Sequence, residues 1–406
     1  MHARTLLAAV LVAGLAAVSV WTVRVAIADW LFRQETVAST WKAVELTPDQ
    51  APYWVRLALL VYDDDPVRSA RGFERAVAVN PRDARSWIEL GLRLEADGEM
   101  AAAERSLLRA AAVDKQYLPR WTLANYYFRR GNTERFWFWA RRANGMAYAD
   151  LSPLFRLCWM VTKDGKAIEQ QLGLSRPDLH ASYLSFVIDN NRVDSIAPAA
   201  RRLLASRREE DRPILLAACE RLLDVREVTG ALEIWNSLAE THAIPFQPLT
   251  PATGVSLTNG NFSIPPSARG FDWRLPAVQG ISVARHEDAP GLRVTFSGQQ
   301  PEICETVSQF LPVVEGRTYM LTVSYQTLAV RPGTGLTFRV ADAENSKILG
   351  QTQNLSSEIE TQDTLSFVTP RGCRLVRLVL VYERAAGTTR IEGSIVLRSV
   401  SMRPNH

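Results

Sequence analysis

The chain has 406 residues, too many for one ordinary domain, so two or three are expected. Its apolar share of 47% is ordinary for a globular protein, and a formal charge of +4 mixes both signs without a basic stripe or tail, which excludes the usual nucleic-acid-binding pattern. Four cysteines without a CxxC pair and five histidines without an HxxxH spacing leave no metal-ligand motif, and no cofactor is expected from the residues.

Thr5 to Val23 (TLLAAVLVAGLAAVSVWTV) is an uncharged apolar run behind Arg4, long enough to cross a bilayer as a helix. A cleaved signal peptide is the rival, with Ala26-Ile27-Ala28 as its small-x-small site, although Arg24 separates that site from the run. The reading taken is an uncleaved anchor over 1–28, with residues 5–23 in the membrane. Arg4 favours an inside N-terminus and Arg24 and Arg33 oppose it. An inside N-terminus with the bulk exported is preferred, because the β-rich C-terminal part suits an extracytoplasmic compartment. From Asp29 to Glu45 the chain reads as a helix continuous with the anchor, closed by Thr47-Pro48.

Between about 50 and 145 the apolar pattern recurs. Trp87, Leu90, Gly91 and Leu94 share a helical face, Asp97-Gly98 breaks the helix, and Ala103, Leu107 and Ala110 face back. A shift of about 34 residues lands on Tyr53, Arg56, Leu57, Leu60, Phe73 and Ala76 on one side and on Trp121, Ala124, Asn125 and Phe128 on the other. In this frame Arg56 and Asn125 are departures, and Trp87 and Trp121 fill equivalent buried slots. The stretch resembles tetratricopeptide (TPR) repeats, whose helix pairs stack to share a core and bind proteins. Residues 118–143 are rich in aromatics, and Tyr126, Tyr127, Trp137 and Trp139 are candidates to line a peptide-holding groove; packing against the next helix pair is the rival. Helix pairs without the strict motif follow at 152–163, 176–190, 193–206, 212–224 and 227–240, so a TPR-like α-solenoid is expected over 29–241. His242 to Thr258 holds three prolines and no period, and is expected to be a linker.

After it the period becomes two. Leu292, Val294 and Phe296, then Tyr319, Leu321 and Val323, then Leu336, Phe338 and Val340 alternate with polar residues. Further strands are expected at 270–275, 281–285, 305–311, 364–369, 374–383 and 391–401, giving an antiparallel β-sandwich over 259–406. Asn259-Gly260-Asn261-Phe262 and the stretch from Phe310 to Thr327 resemble carbohydrate-binding-module-like jelly rolls. Such a domain behind a membrane-anchored TPR segment resembles proteins of bacterial exopolysaccharide export and exosortase loci. The resemblance implies a single-pass inner-membrane protein with its bulk in the periplasm, a polysaccharide as a possible partner and a structural calcium site. Relatives carry Glu after the NGNF opening where this chain has Ser263.

Alternation puts Asp272, Arg274, Gln326 and Arg339 on the solvent side, with Tyr382 or Trp273 as the exposed aromatic that stacks on a sugar. A sugar site requires Arg274, Gln326 and Arg339 on one concave face. Cys304 and Cys373 are a possible disulfide if this part is exported. No GxSxG, HExxH, Walker-type or GxGxxG motif is present, and Glu302 and Glu305 are the nearest paired carboxylates. The fold class expected is therefore multidomain α then β: a transmembrane helix, an all-α TPR-like solenoid and a jelly roll. The function expected is a non-catalytic scaffold whose repeats bind a protein and whose jelly roll binds glycan or docks to export machinery. A pure assembly factor with a spacer sandwich and a glycan-processing enzyme are the alternatives.

Overall fold

The computed structural model describes residues 2–146, 150–285 and 290–405, with side chains from Val10 onward. The side chains of residues 5–9, part of the expected span, lie outside the described residues. The order is helices first and strands after, in two compact units, Met1–Leu174 and Ser175–His406.

The first unit opens on α1 (His2–Phe32), whose described part from Val10 on is long and apolar enough to cross a membrane. The expected continuous helix from Asp29 to Glu45 is broken: Glu35 takes a positive φ of 52°, and Thr36 caps α2 (Val37–Leu46) in a capping box with Ser39. Three hairpins follow: α3 (Ala51–Leu60) with α4 (Pro66–Val79), α5 (Ala84–Ala96) with α6 (Met100–Val113), and α7 (Tyr117–Arg129) with α8 (Thr133–Asn144). A fourth pairs α9 (Ser152–Val161) with α10 (Gly165–Leu172), a short helix the sequence pattern does not signal. Side-chain oxygens of Asp65, Asp83, Asn132 and Asp164 accept from the first-turn N–H groups of α4, α5, α8 and α10, which is why each helix starts where it does.

Burial corrects the repeat frame. In the first helices of the three hairpins the buried pairs are Leu57-Ala58, Leu90-Gly91 and Leu123-Ala124, which stand 33 apart, not 34. The indole N–H of Trp54 donates to the Pro48 carbonyl at 2.8 Å, and that of Trp87 to Pro81 at 3.0 Å, again 33 apart. In the second helices Phe73 and Ala76 stand 34 before Leu107 and Ala110, which in turn stand 33 before Ala140 and Ala143. The two departures therefore dissolve: Leu57, not Arg56, fills the leucine slot, and Ala124, not Asn125, fills the glycine slot. Arg56 instead pairs with Glu35 at 2.8 Å. Trp87 and Trp121 are only half-buried, and Trp121 stacks on Tyr117 with centroids 6.2 Å apart. The small slot is needed because the helices cross there: a Cβ on Gly91 would lie 2.6 Å from Leu107 Cδ2.

The second unit holds two more hairpins, α11 (Pro177–Asp189) with α12 (Val193–Leu204) and α13 (Arg212–Asp224) with α14 (Val228–Glu240), and then the β-sandwich. Its strands are β1 (Ile281–Arg285), β2 (Leu292–Ser297), β3 (Ile303–Pro312), β4 (Thr318–Leu328), β5 (Leu336–Asp342), β6 (Ile348–Gln351), β7 (Thr361–Val368), β8 (Leu375–Glu383) and β9 (Glu392–Pro404). They form a five-stranded sheet, β1-β2-β9-β4-β7, and a four-stranded sheet, β3-β8-β5-β6, all paired antiparallel. The core between the sheets gathers the alternating residues expected, among them Leu292, Val294, Phe296, Tyr319, Leu321, Val323, Leu336 and Phe338.

The stretch 242–258 is packed against α14. Asn236 exchanges two bonds with the Leu249 backbone, at 2.8 and 2.7 Å, and Ile244 and Leu249 are buried. Trp235 of α14 stacks on Phe246 at 5.4 Å and meets Phe271 edge-on at 5.8 Å. Gly270 makes this contact possible: its φ is +56°, and a Cβ there would lie 2.6 Å from the indole. Glu220 of α13 completes the junction, accepting from the Gly270 N–H at 2.7 Å and from Arg274 Nη2 at 2.7 and 2.9 Å.

Two outcomes check this description. Leu123→Ala is expected to cost about 2–5 kcal/mol in denaturant unfolding of the full chain, as for other buried leucines, and to exceed the cost of Trp121→Ala. The reverse order would restore the 34-residue frame. Trp235→Ala is expected to cost about 3–5 kcal/mol and to open 242–258 to limited proteolysis, whereas an unchanged cleavage pattern would mark that stretch as independent of α14.

Candidate functional site

The residues expected to hold a sugar do not come together. Tyr382 is 0% exposed, on β8 inside the sandwich, and its hydroxyl accepts from the Ile391 N–H at 3.1 Å. Trp273 is also 0% exposed; it packs on Phe262 and donates to the Asn259 carbonyl at 3.1 Å. Neither ring can stack on a ligand at the surface. Residues 270–275 form no strand, only a bridge from Arg274 to Ser308, so alternation fails there: Asp272 is buried and accepts from the Ser267 N–H at 2.6 Å. Gln326 lies on β4 in the five-stranded sheet and donates to the Glu358 carbonyl at 2.7 Å, while Arg339 lies on β5 in the other sheet.

A different cluster forms on the outer face of the four-stranded sheet. Arg226, in the turn between α13 and α14, joins Arg274, Arg339 and Arg377 around a cleft of about 450 Å³ floored by Val379 and Val381. The guanidiniums of Arg226 and Arg274 lie 5.1 and 4.7 Å from the centroid of Phe310. Three of the four charges are matched: Arg274 by Glu220, Arg377 by Glu305 through bonds of 2.9 and 2.5 Å, and Arg339 by Glu383. Arg339 also donates to Gln351 at 2.9 Å. The sequence marks Arg274 and Arg339 for this face but not Arg226 or Arg377, because a helix turn and a strand meet here only in space. Glu302 is bound by Arg384 at 3.1 Å, so Glu302 and Glu305 both sit in ion pairs.

The first unit has its own groove, between α5 and α7, of about 420 Å³. Glu89, Leu92, Leu118, Trp121, Asn125 and Arg129 line it. Burial pushes the Glu89 carboxyl above its usual range, against the opposing charge of Arg85. The expected groove residues lie elsewhere. Tyr126 and Tyr127 are buried, with their hydroxyls on the Met100 carbonyl at 3.1 Å and Glu104 at 2.7 Å, and burial with Glu104 pushes the Tyr127 phenol up to about 12. Trp137 is buried against Phe136, and Trp139 is half-buried beside Phe138.

The expected disulfide is excluded by register. Cys304 on β3 pairs with Tyr382, at one end of β8; Cys373 precedes Leu375, which pairs with Pro312 at the other end. Eight residues of strand, about 25 Å, separate the two ends, and a disulfide needs Cα atoms within about 7 Å. All four cysteines are free. Burial raises the Cys158 and Cys219 thiols, and burial with Asp342 pushes Cys373 up to about 11. Among the described residues no group of three or more His, Cys, Asp or Glu converges as a metal site. The implied calcium does not fit at Ser263 either, since its side chain carries no charge and the Arg285 guanidinium donates to its carbonyl at 3.0 Å.

No family model matches the chain, and no curated protein matches it significantly. Among solved structures it is similar to one described as "CBM4 structure and function", at 16% identity and TM-score 0.29, covering 37% of this chain and 100% of that one. It is also similar to MamA, at 14% identity and TM-score 0.31, covering 38% and 89%, and to YrrB, described as a TPR protein with an unusual peptide-binding site, at 10% identity and TM-score 0.26, covering 50% and 91%. Likenesses of this size carry no conclusion about function.

Cys304 is the half-exposed thiol and the other three are buried. At pH 8 a maleimide is expected to label Cys304 alone on the folded protein and all four cysteines in denaturant without reductant. Fewer than four labels would reveal a disulfide.

Proposed function

We propose that the chain is a non-catalytic assembly factor of the bacterial inner membrane, anchored by α1, with its bulk in the periplasm. The helical repeats hold a protein partner in the α5–α7 groove, and the sandwich is a rigid module built onto α13 and α14. One observation carries this reading: the sandwich shares the Trp235–Phe271 and Glu220–Arg274 contacts with the helices, while the residues expected to bind a sugar are buried or divided between two sheets. The apolar surface of α1, with Val12, Leu15, Val20 and Trp21 all exposed, supports the anchor.

A second reading draws on the arginine-rimmed cleft. Guanidiniums above a valine floor suit an acidic sugar, whose carboxylate takes bidentate bonds and whose C–H face rests on apolar carbon.

The full-length protein, extracted in detergent, is expected to stay silent on an array of neutral and acidic glycans. Binding to acidic glycans that is lost in Arg339→Ala would replace the spacer reading with the second one. The protein is also expected to remain in the membrane pellet after carbonate wash with its N-terminal residues intact; a mature N-terminus at Asp29 would remove the anchor.

A further inference from the structure

We infer that α1 is a shared element: its apolar part crosses the bilayer, and its last turns are the first helix of the repeat array, so the array begins among the lipid headgroups. The crossing rests on the function proposed above, but the sharing rests on packing alone. α2 repeats the burial of α4 at a spacing of 33. Ser39, Thr40, Ala43 and Val44 are buried, as are Gly72, Phe73, Ala76 and Val77, and Trp41, Lys42 and Glu45 are exposed, as are Glu74, Arg75 and Ala78. Pro48 and Pro81 keep the same spacing, each holding a tryptophan N–H. So α2 is the second helix of a repeat.

The first helix of that repeat is α1. Ala28 is fully buried in one cluster with Ala43, Val44, Tyr53 and Leu57, and Leu31 and Phe32 pack against it. Phe32 stacks on Tyr53 at 4.7 Å. The cluster sits where a signal-peptide cleavage site was the rival reading, so cutting after Ala28 would remove Ala28 from it and leave α2 with only the last turn of α1. The sequence hides this repeat because Ala28, Leu31 and Phe32 continue the apolar run of the span, so its packing positions do not stand out as a stripe.

The same contacts place the membrane surface. α2 runs back along α1, and Arg24 donates to the carbonyl of Leu46 at the end of α2. Arg24 directly follows Val23, the last residue of the apolar run, so the exposed turn at Pro48 and Asp49 lies level with the point where that run ends. Trp21, 58% exposed, stands one turn deeper, at the depth tryptophan favours in a bilayer.

Two matched substitutions in the full-length protein test the sharing. Ala28→Trp overfills the packed face while keeping the run apolar, and Ala26→Trp makes the same change on an exposed position of the same helix. Hydrogen exchange in α2 and α3 is expected to accelerate at least about tenfold in the first variant and to stay within about twofold of wild type in the second. Should Ala28→Trp fail to accumulate, Ala28→Leu is expected to give the same order. Equal exchange in the packed-face and exposed-face variants overturns the shared helix. The headgroup placement is tested with a benzophenone amino acid in place of Asp49, in vesicles of phosphatidylethanolamine and phosphatidylglycerol. Phospholipid adducts are expected, and their absence overturns the placement. Loss of wild-type protein from the carbonate pellet would sink the anchor instead, leaving the exchange result to stand or fall by itself.

Discussion

The first three hairpins, α3–α4, α5–α6 and α7–α8, each close on a position with room for a methyl group or less. Ala58, Gly91 and Ala124 occupy it, and the leucine before each fills the space beside the crossing. Helices that approach this closely gain dispersion contacts along their whole length, and a larger side chain at the crossing would push them apart. The rest of the unit follows from that spacing. Once the small positions are placed, Tyr126 and Tyr127 of α7 turn into the core, and Trp121 and Asn125 turn toward the groove beside α5.

In the second unit the corresponding constraint is charge. Glu220 of α13 holds one arginine and one backbone N–H of the segment that leads into the sandwich. A half-buried carboxylate with donors converging on it fixes direction as well as distance, because each donor must point at a lone pair. The indole of Trp235 then seals the apolar side of the same contact. Charge and ring act at neighbouring points, so the sandwich has one orientation against α13 and α14.

Much of the fold was legible in the chain. Period-two alternation marks β2, β4 and β5, where one face of each strand packs between the sheets. Caps and breakers mark the hairpins. What failed did so for two physical reasons. A one-residue error in the repeat frame, 34 for 33, rotates every side chain by about 100° around the helix. That rotation is why Arg56 and Asn125 read as departures; Trp121 read as core by analogy with Trp87, itself only half-buried, and the crowding of aromatics over 118–143 does not reveal that Tyr126, Tyr127 and Trp137 face the core. The sandwich failed where local pattern meets tertiary contact. Residues 270–275 look like a strand but answer to Trp235 and Glu220, neither of which can be anticipated from nearby sequence. Tyr382 sits in a run of nearly continuous apolar residues, Leu375 to Tyr382, where parity says little about which side is wet.

The proline-bearing stretch between the last helix and the first strand bears on how this protein can be taken apart. A cut there severs few peptide bonds but many contacts. The β-half on its own would present Phe271 to water and leave Arg274 without its counter-ion, and the helical half would lose the cover over Trp235. Proline and the absence of period conventionally advertise a safe place to divide a gene. Here the natural piece to express or exchange starts upstream of α11, and a fusion partner is better placed at the boundary after Leu174 than at the prolines.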